Sequence, residues 1–232
     1  MNKALVNLHK SVLYAAILFS FLLTVPVSLD AQEIVDETVA TVSDGGEPEL
    51  ITYSDLLWQL ALVPNAPLNP PTSEDLNLAL QVIIRQRLIA LEAKRVPREE
   101  PSEDEVDEEI KRVLDQFPST ADFVRRLNIV GFDSVKDENF QEMMEQRVSI
   151  EKYVDFRFRS FVVITPEDEK DYYRNVFTPE FRRQNPGLLL PSLEEVRDQI
   201  NQTLTERKVE SDIENFLDNA RDRAEINVLS EI

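Results

Sequence analysis

The fold of this chain is decided by the stretch TSEDLNLALQVIIRQRLIALEAKRVP, which runs from Thr72 to Pro97. The spacing Thr72-x-x-Asp75 is typical of a helix start, because the threonine hydroxyl can accept from the backbone N–H three residues on. The apolar residues that follow recur at intervals of three and four, the period of a helix with one buried face. They are Leu76, Leu80, Ile83, Ile84, Leu88 and Leu91. The stretch therefore predicts a long amphipathic helix in a mainly α, multi-helix fold.

Most of the remaining chain follows the same pattern, with prolines separating the apolar stripes. Further helices are predicted at 55–62, 102–117, 120–131, 134–161 and 192–220. The clearest start signal is Thr165-Pro-Glu-Asp168, where a capping threonine precedes a proline and acids that favour the positive end of the helix dipole. This helix is predicted to be short. The stretch of mixed charge at 178–187 is predicted to be a loop.

A small sheet is predicted from two distant parts of the chain. Residues 38–43 alternate polar and apolar, residues 44–48 supply turn residues, and residues 50–52 resume the strand pattern, which predicts a hairpin. Residues 225–229 also alternate. A terminal strand in a helical chain needs a partner, so we expect it to pair with the hairpin.

The first 31 residues have the layout of a secretory signal peptide. Lys3 and Lys10 give a positive start, and residues 11–25 form an uncharged apolar stretch that Pro26 closes. A transmembrane helix needs roughly 20 apolar residues, which is more than this stretch holds. We expect cleavage after Ala31 and a periplasmic location. The alternative is an uncleaved anchor, because the residues before Ala31 fit the small-residue cleavage pattern poorly.

The net charge of the chain is strongly negative. Its 44 acidic and 25 basic residues give −19 at pH 7. Phosphate backbones bind surplus lysine and arginine, and an anionic membrane surface repels an acidic protein unless its charge is strongly segregated. We therefore expect no nucleic-acid partner and no stable membrane insertion after signal removal.

The residue types that carry much of enzyme chemistry are missing. The chain has no cysteine, and its single histidine, His9, lies in the signal segment. Nucleophile–histidine triads and imidazole or thiolate metal sites are thereby excluded, and neither a calcium loop nor a glycine-rich phosphate loop is present. We expect no catalytic residue, no metal and no cofactor. The enzyme hypotheses that survive are a carboxylate hydrolase and a histidine-free isomerase.

Several aromatic and methionine side chains are candidates for binding another polypeptide, since flexible methionines and aromatic rings accept varied apolar segments. The alternative for each of them is a place in the core. Side chains of this kind include Trp58, Phe156, Phe158 and Phe181. The predicted contact residues are Phe132, Phe140, Met143, Met144, Tyr172, Tyr173 and Phe177.

Four segments occur in an order that is found in a known family. They are Leu50-Ile-Thr-Tyr-Ser-Asp-Leu56, Arg85-Gln-Arg-Leu-Ile-Ala-Leu-Glu-Ala93, Val163-Ile-Thr-Pro-Glu-Asp-Glu-Lys-Asp-Tyr-Tyr173, and the stretch 192–229. In this order the chain resembles the SurA-like periplasmic chaperones over nearly all of its length after residue 31. The resemblance implies an N-terminal chaperone domain at 32–164, a short helix and loop at 165–191, and a closing helix and strand at 192–232 that pack back on the first domain.

The chain departs from that family between Tyr173 and Ser192. Family members usually carry one or two parvulin-type prolyl isomerase domains of about 90 residues there, and fewer than 20 residues cannot hold one. The resemblance therefore implies an ATP-independent chaperone, or holdase, for unfolded outer-membrane or secreted polypeptides, without isomerase catalysis. The alternative is an envelope structural or adaptor protein whose amphipathic helices bind one fixed partner or a second copy.

Overall fold

The computed structural model describes residues 36–96, 99–230 and 232, and residues 36–232 cluster as one compact unit. The predicted signal peptide at 1–31 and its cleavage site lie outside the described residues. Within the described residues, no helix combines the length and the hydropathy needed to cross a bilayer. The predicted fold class is confirmed, because the described chain is mainly helical with a small three-stranded antiparallel sheet.

Helices and short connections alternate along the described chain. The α-helices are α1 Tyr53–Ala61, α2 Ser73–Ala93, α3 Glu103–Leu114, α4 Thr120–Ile129, α5 Glu138–Arg157, α6 Pro166–Tyr172, α7 Thr178–Gln184 and α8 Leu193–Arg223. A 3₁₀ turn at Arg159–Phe161 follows α5, and a π-helical segment at Tyr173–Phe177 joins α6 to α7. The strands are β1 Thr38–Ser43, β2 Glu49–Thr52 and β3 Glu225–Val228.

Hydroxyl side chains start several helices at the predicted positions. At α1, the Thr52 hydroxyl accepts from the Asp55 N–H at 3.2 Å, and the Asp55 carboxylate accepts from the Thr52 N–H at 2.9 Å. The same reciprocal box starts α3 and α6. Because each box satisfies backbone donors that the first helical turn leaves free, a capping residue is worth about 1 kcal/mol.

The sheet joins the beginning and the end of the described chain. Its order is β2-β1-β3, and both pairings are antiparallel. Val42 in the central strand lies opposite Glu49 of β2 and Ile226 of β3. The prediction that the strand at 225–229 pairs with the hairpin is confirmed.

Buried apolar side chains form two clusters. The first joins the sheet, α1 and α2 to the end of α5 and to the second half of α8, with Leu56 and Leu217 among its fully buried members. The second lies among α3, α4 and the first half of α5, around Phe123, Phe132 and Phe140. Because α5 supplies residues to both clusters, it holds the two together.

The predicted loop at 178–187 is wrong over most of its length. α7 occupies Thr178–Gln184, and it continues the helical run from α6 through the π-helical segment, where the Thr178 N–H donates to the Tyr173 carbonyl five residues back. A proline has no backbone N–H and clashes with the carbonyl four residues earlier, so Pro179 predicts the end of a helix. The wider π turn before Pro179 accommodates it and the helix goes on. The non-helical segment between α7 and α8 is confined to residues 185–192.

The helix predicted at 134–161 is shorter in the structure. α5 begins only after Asp137, whose carboxylate accepts from the Asn139 N–H at 3.1 Å, and it ends at Arg157 before the separate 3₁₀ turn. An aspartate placed so that it can cap competes with continuation of the helix toward the N-terminus.

Candidate functional site

Three of the predicted contact residues lie in the core. Phe132, Phe140 and Met144 are 2%, 0% and 0% exposed. The Phe140 ring packs edge-on against the rings of Phe132 and Phe123, with centroids 5.5 and 5.9 Å apart. In this conformation these three side chains cannot touch another polypeptide, and what they do is build the second cluster.

Met143 has a different position from its neighbour Met144. It packs only at the edge of the second cluster and lines an open groove of about 630 Å³ between α2 and α5. The apolar side chains that share this groove with it are Trp58, Ile83, Pro101 and Ile150. The Trp58 ring is held in place by its Nε1–H, which donates to the Val130 carbonyl at 3.1 Å.

The same groove contains a partly buried arginine. Arg87 donates from Nη1 to the Gln146 side-chain oxygen at 2.9 Å, and its Nη2 lies 4.0 Å from an Asp55 carboxylate oxygen. Its Nε is buried, lies 3.7 Å from a Glu49 carboxylate oxygen, and makes no hydrogen bond within the described residues. The groove therefore offers both apolar and charged contacts, which suits a polypeptide segment better than a purely apolar ligand.

Tyr172, Tyr173 and Phe177 lie together in residues 166–199, which we call the arm. The arm consists of α6, the π-helical segment, α7, the loop at 185–192 and the start of α8. Tyr173, Phe177 and Phe181 recur every fourth residue and stack in a ladder, with ring centroids 5.7 and 5.8 Å apart and interplanar angles of 17° and 25°. Phe177 and Phe181 of this ladder line a cleft of about 510 Å³ together with Tyr172. Pro191, Val196 and Gln199 also line it.

The arm has no core of its own. From residue 170 to residue 199, all of which the structure describes, no side chain is buried, and the three rings of the ladder are only partly buried. Aromatic side chains of this size dominate the energetics of cores and interfaces alike. The ladder is not fully covered by the rest of the chain, and it therefore keeps part of its apolar surface open.

Polar contacts hold the arm in place at its base. Glu169 of α6 is buried, lies 3.2 Å from Arg197 Nε of α8, and accepts from the Asn201 side-chain amide at 3.1 Å. Farther along, the Tyr173 hydroxyl donates to the Pro191 carbonyl at 2.6 Å, which ties the ladder to the loop. The geometry of the arm thus depends on a few directed contacts and little on packing.

The acidic run at 99–109 fastens α3 to α5. Glu109 is 6% exposed and accepts from Arg147 Nε at 2.8 Å, and Glu105 accepts from Lys152 at 2.9 Å. Hydrogen bonds from the Ser102 backbone and from Lys152 hold the pKa of Glu105 below its ordinary value. Among the described residues, no cluster of three or more histidine, cysteine or carboxylate side chains is placed to hold a metal ion.

Two leucines belong to the exposed surface of the arm although they were not among the predicted contact residues. Phe181 was a candidate by residue type alone. Its spacing of four residues from Phe177 has meaning only on a helix, and the stretch was predicted to be a loop. Leu188 and Leu189 are 67% and 94% exposed. An apolar triplet between two prolines is visible in the sequence, and it is the signal by which these leucines could have been found.

A scan against models of known protein families found no match to this chain, and a search of curated proteins also found none. The resemblance to SurA-like chaperones therefore rests on the sequence segments given above.

Proposed function

We propose that this chain is an ATP-independent periplasmic chaperone that holds unfolded outer-membrane or secreted polypeptides without prolyl isomerase catalysis. The observation that carries the proposal is the ladder of Tyr173, Phe177 and Phe181 on an arm without a core. The order of sequence segments that resembles SurA-like chaperones supports it.

The ladder has the properties that a holdase surface needs. Complete burial of one large apolar side chain is worth roughly 1.5–3 kcal/mol, and most of that surface is already covered in the arm. Three such rings therefore give at most about 3 kcal/mol before the cost of ordering the client. This is well below the roughly 8 kcal/mol of a micromolar complex. Contact with the ladder alone is therefore weak and readily reversed, which allows release without ATP.

The groove beside Met143 supplies a second surface for the same client. It is open along α2 and α5 and combines Trp58 and Met143 with the charged groups around Arg87. Two weak surfaces on one protein bind a long unfolded chain more tightly than either does alone, because the second contact is made within the complex. A client could therefore engage both surfaces and still leave stepwise.

The charge of the protein is consistent with this role. A net charge of −19 opposes self-association of a protein that exposes apolar side chains. The first test is light scattering of a chemically unfolded outer-membrane protein after dilution into the purified chain, without nucleotide and with an inert acidic protein as a control. We expect suppression of aggregation at near-stoichiometric ratios.

Substitutions in the ladder test whether it is the surface that binds the client. Phe177→Ser with Phe181→Ser removes most of the ladder, and Leu78→Ser removes an apolar side chain that is 60% exposed on α2 as the matched control. We expect the ladder variant to lose suppression and the control to keep it. Equal suppression by both variants would contradict a role for the ladder.

The neighbouring methionines give a second pair of variants. Met144→Asp places a charge in the core and should unfold the second cluster, as seen by circular dichroism. Met143→Asp should keep the fold and weaken client binding. If the native chain fails to suppress aggregation even in excess, the adaptor hypothesis with one fixed partner replaces the holdase. Turnover of a proline-containing peptide would contradict the absence of isomerase catalysis.

A further inference from the structure

The loop of the arm presents the most exposed large apolar side chain among the described residues. Leu189 is 94% exposed and Leu188 is 67% exposed. The loop has a defined turn, because the Leu188 N–H donates to the Asn185 carbonyl at 3.2 Å and Gly187 adopts a φ of +91°, which glycine tolerates best. The hydrogen bond from Tyr173 fixes the Pro191 carbonyl at its other end. The leucines are thus displayed by an ordered turn.

The charge beside these leucines is opposite to that of the whole chain. Arg182 and Arg183 are exposed at the end of α7, and the sequence has no acidic residue from Phe181 to Leu193. No carboxylate among the described residues pairs with Arg182, and Arg183 has only the exposed Glu180 at 3.4 Å. A protein with a net charge of −19 therefore carries a small basic and apolar region at one place.

The nearest acidic residues on the other side of the loop are already engaged. The Glu194 carboxylate pairs with Arg197 at 2.8 Å, and the Glu195 carboxylate accepts from the Ser192 N–H at 2.7 Å. Charges farther than a Debye length of about 10 Å are screened at moderate salt. The acidic remainder of the chain therefore weakens, but does not cancel, the attraction of this region to an anionic surface.

We propose that Arg182, Arg183 and Leu188–Leu190, here called the tip, dock onto the surface of a bilayer that contains anionic phospholipid. The leucines would enter the boundary between headgroups and acyl chains, and the guanidinium groups would bind lipid phosphates. Exposed leucines on a turn next to two consecutive arginines fit this interface better than they fit a protein groove. A protein groove would need a complementary pocket for each side chain. The tip touches the membrane without crossing it.

The membrane contact does not depend on the proposed function, because it rests on the exposed leucines and arginines of the tip. The ladder enters only through the Tyr173 hydroxyl, which holds one end of the loop. Docking of the tip places an arm that could hold a client at a membrane surface. The net negative charge of the chain does not exclude this membrane contact, because positive charge is concentrated at the tip.

The test is co-sedimentation of the purified chain with vesicles of phosphatidylethanolamine and phosphatidylglycerol, compared with vesicles of phosphatidylcholine. We expect binding to the anionic vesicles that weakens as salt is added. Arg182→Gln with Arg183→Gln, and Leu188→Ser with Leu189→Ser, should each lower binding by at least about tenfold. Arg221→Gln and Leu78→Ser, which change exposed residues elsewhere, should leave it unchanged.

A spectroscopic reporter shows which residues enter the lipid. Trp58 is the only tryptophan, so Leu189→Trp adds one new signal. Its emission should shift to the blue on anionic vesicles, whereas that of Leu78→Trp should not. Absence of binding to anionic vesicles at low salt would overturn the proposal, and so would binding by both tip variants at the level of the native chain. Loss of aggregation suppression in the tip variants, without vesicle binding by the native chain, would assign the tip to polypeptide instead.

Discussion

The two parts of the molecule use the same kinds of residue for different purposes. The body comprises the sheet, α1–α5 and α8 from Ile200 onward. Most of its phenylalanines and methionines fill or border two clusters, although Phe156 of α5 is 51% exposed. The arm, residues 166–199, has similar aromatic residues but buries none of them completely. The body is therefore stabilised by burial, and the arm by a few directed contacts at its base and along its loop. Apolar residue type alone therefore does not distinguish core residues from contact residues. The number of helices and strands packed around a residue distinguishes them.

The largest expected effect is on the stability of the body. Phe140→Ala removes a fully buried ring that touches two others and should lower the free energy of unfolding by about 3–5 kcal/mol. Phe177→Ala removes a ring of the ladder that is not completely buried and should cost about 1 kcal/mol. Urea unfolding followed by circular dichroism measures both. Equal losses of unfolding free energy in the two variants would mean that the arm is part of the cooperative core. The contrast between body and arm would then be wrong.

A smaller effect is expected at the base of the arm. Glu169→Ala leaves Arg197 and Asn201 without their shared carboxylate and should destabilise the arm by about 1–3 kcal/mol, since a buried polar group loses its partners. Hydrogen exchange should report faster exchange of the amides in α6 and α7 with little change in α2 and α5.

Glu180→Ala is the matched control for this change. Glu180 pairs only with the exposed Arg183, and exposed ion pairs contribute little. Exchange in the arm should stay as in the native chain. Faster exchange throughout the body in Glu169→Ala would show instead that the arm and the body unfold together.

The fold class and the sheet could be predicted from the sequence because their signals are local or unique. Capping pairs such as Thr165 and Asp168 mark helix starts within a few residues, and a single terminal strand has one obvious partner. The helical run through Pro179 could not be predicted in this way. It depends on a π turn, and a turn of this kind has no sequence signal strong enough to outweigh a proline.

The candidate site was predictable only in part. Phe140, Met144 and Val148 follow one another at intervals of four, so the helix period already places them on one buried stripe and Met143 off it. The ladder required knowledge that residues 178–184 are helical. The exposure of Leu189 depends on the loop geometry, which neither composition nor periodicity specifies.

The smallest expected effect concerns the pH dependence of the arm. Hydrogen bonds from the Thr165 hydroxyl and backbone N–H hold the pKa of Asp168 below its ordinary value of 3.8. A carboxylate with a lowered pKa in the folded state contributes stability that is complete above its unfolded pKa and is lost as pH falls through its folded pKa. The native arm should therefore exceed Thr165→Ala in stability by a larger amount at neutral pH than below pH 3.8. Part of the difference should persist in acid, because the Asp168 N–H also loses its bond to the hydroxyl. Hydrogen exchange in α6 across this range measures the difference, with Thr178→Ala as a control in the same arm. The backbone N–H bond from residue 165 to the Asp168 carboxylate remains in the variant. A difference that is constant with pH would therefore show that the threonine hydroxyl does not act through the charge of Asp168.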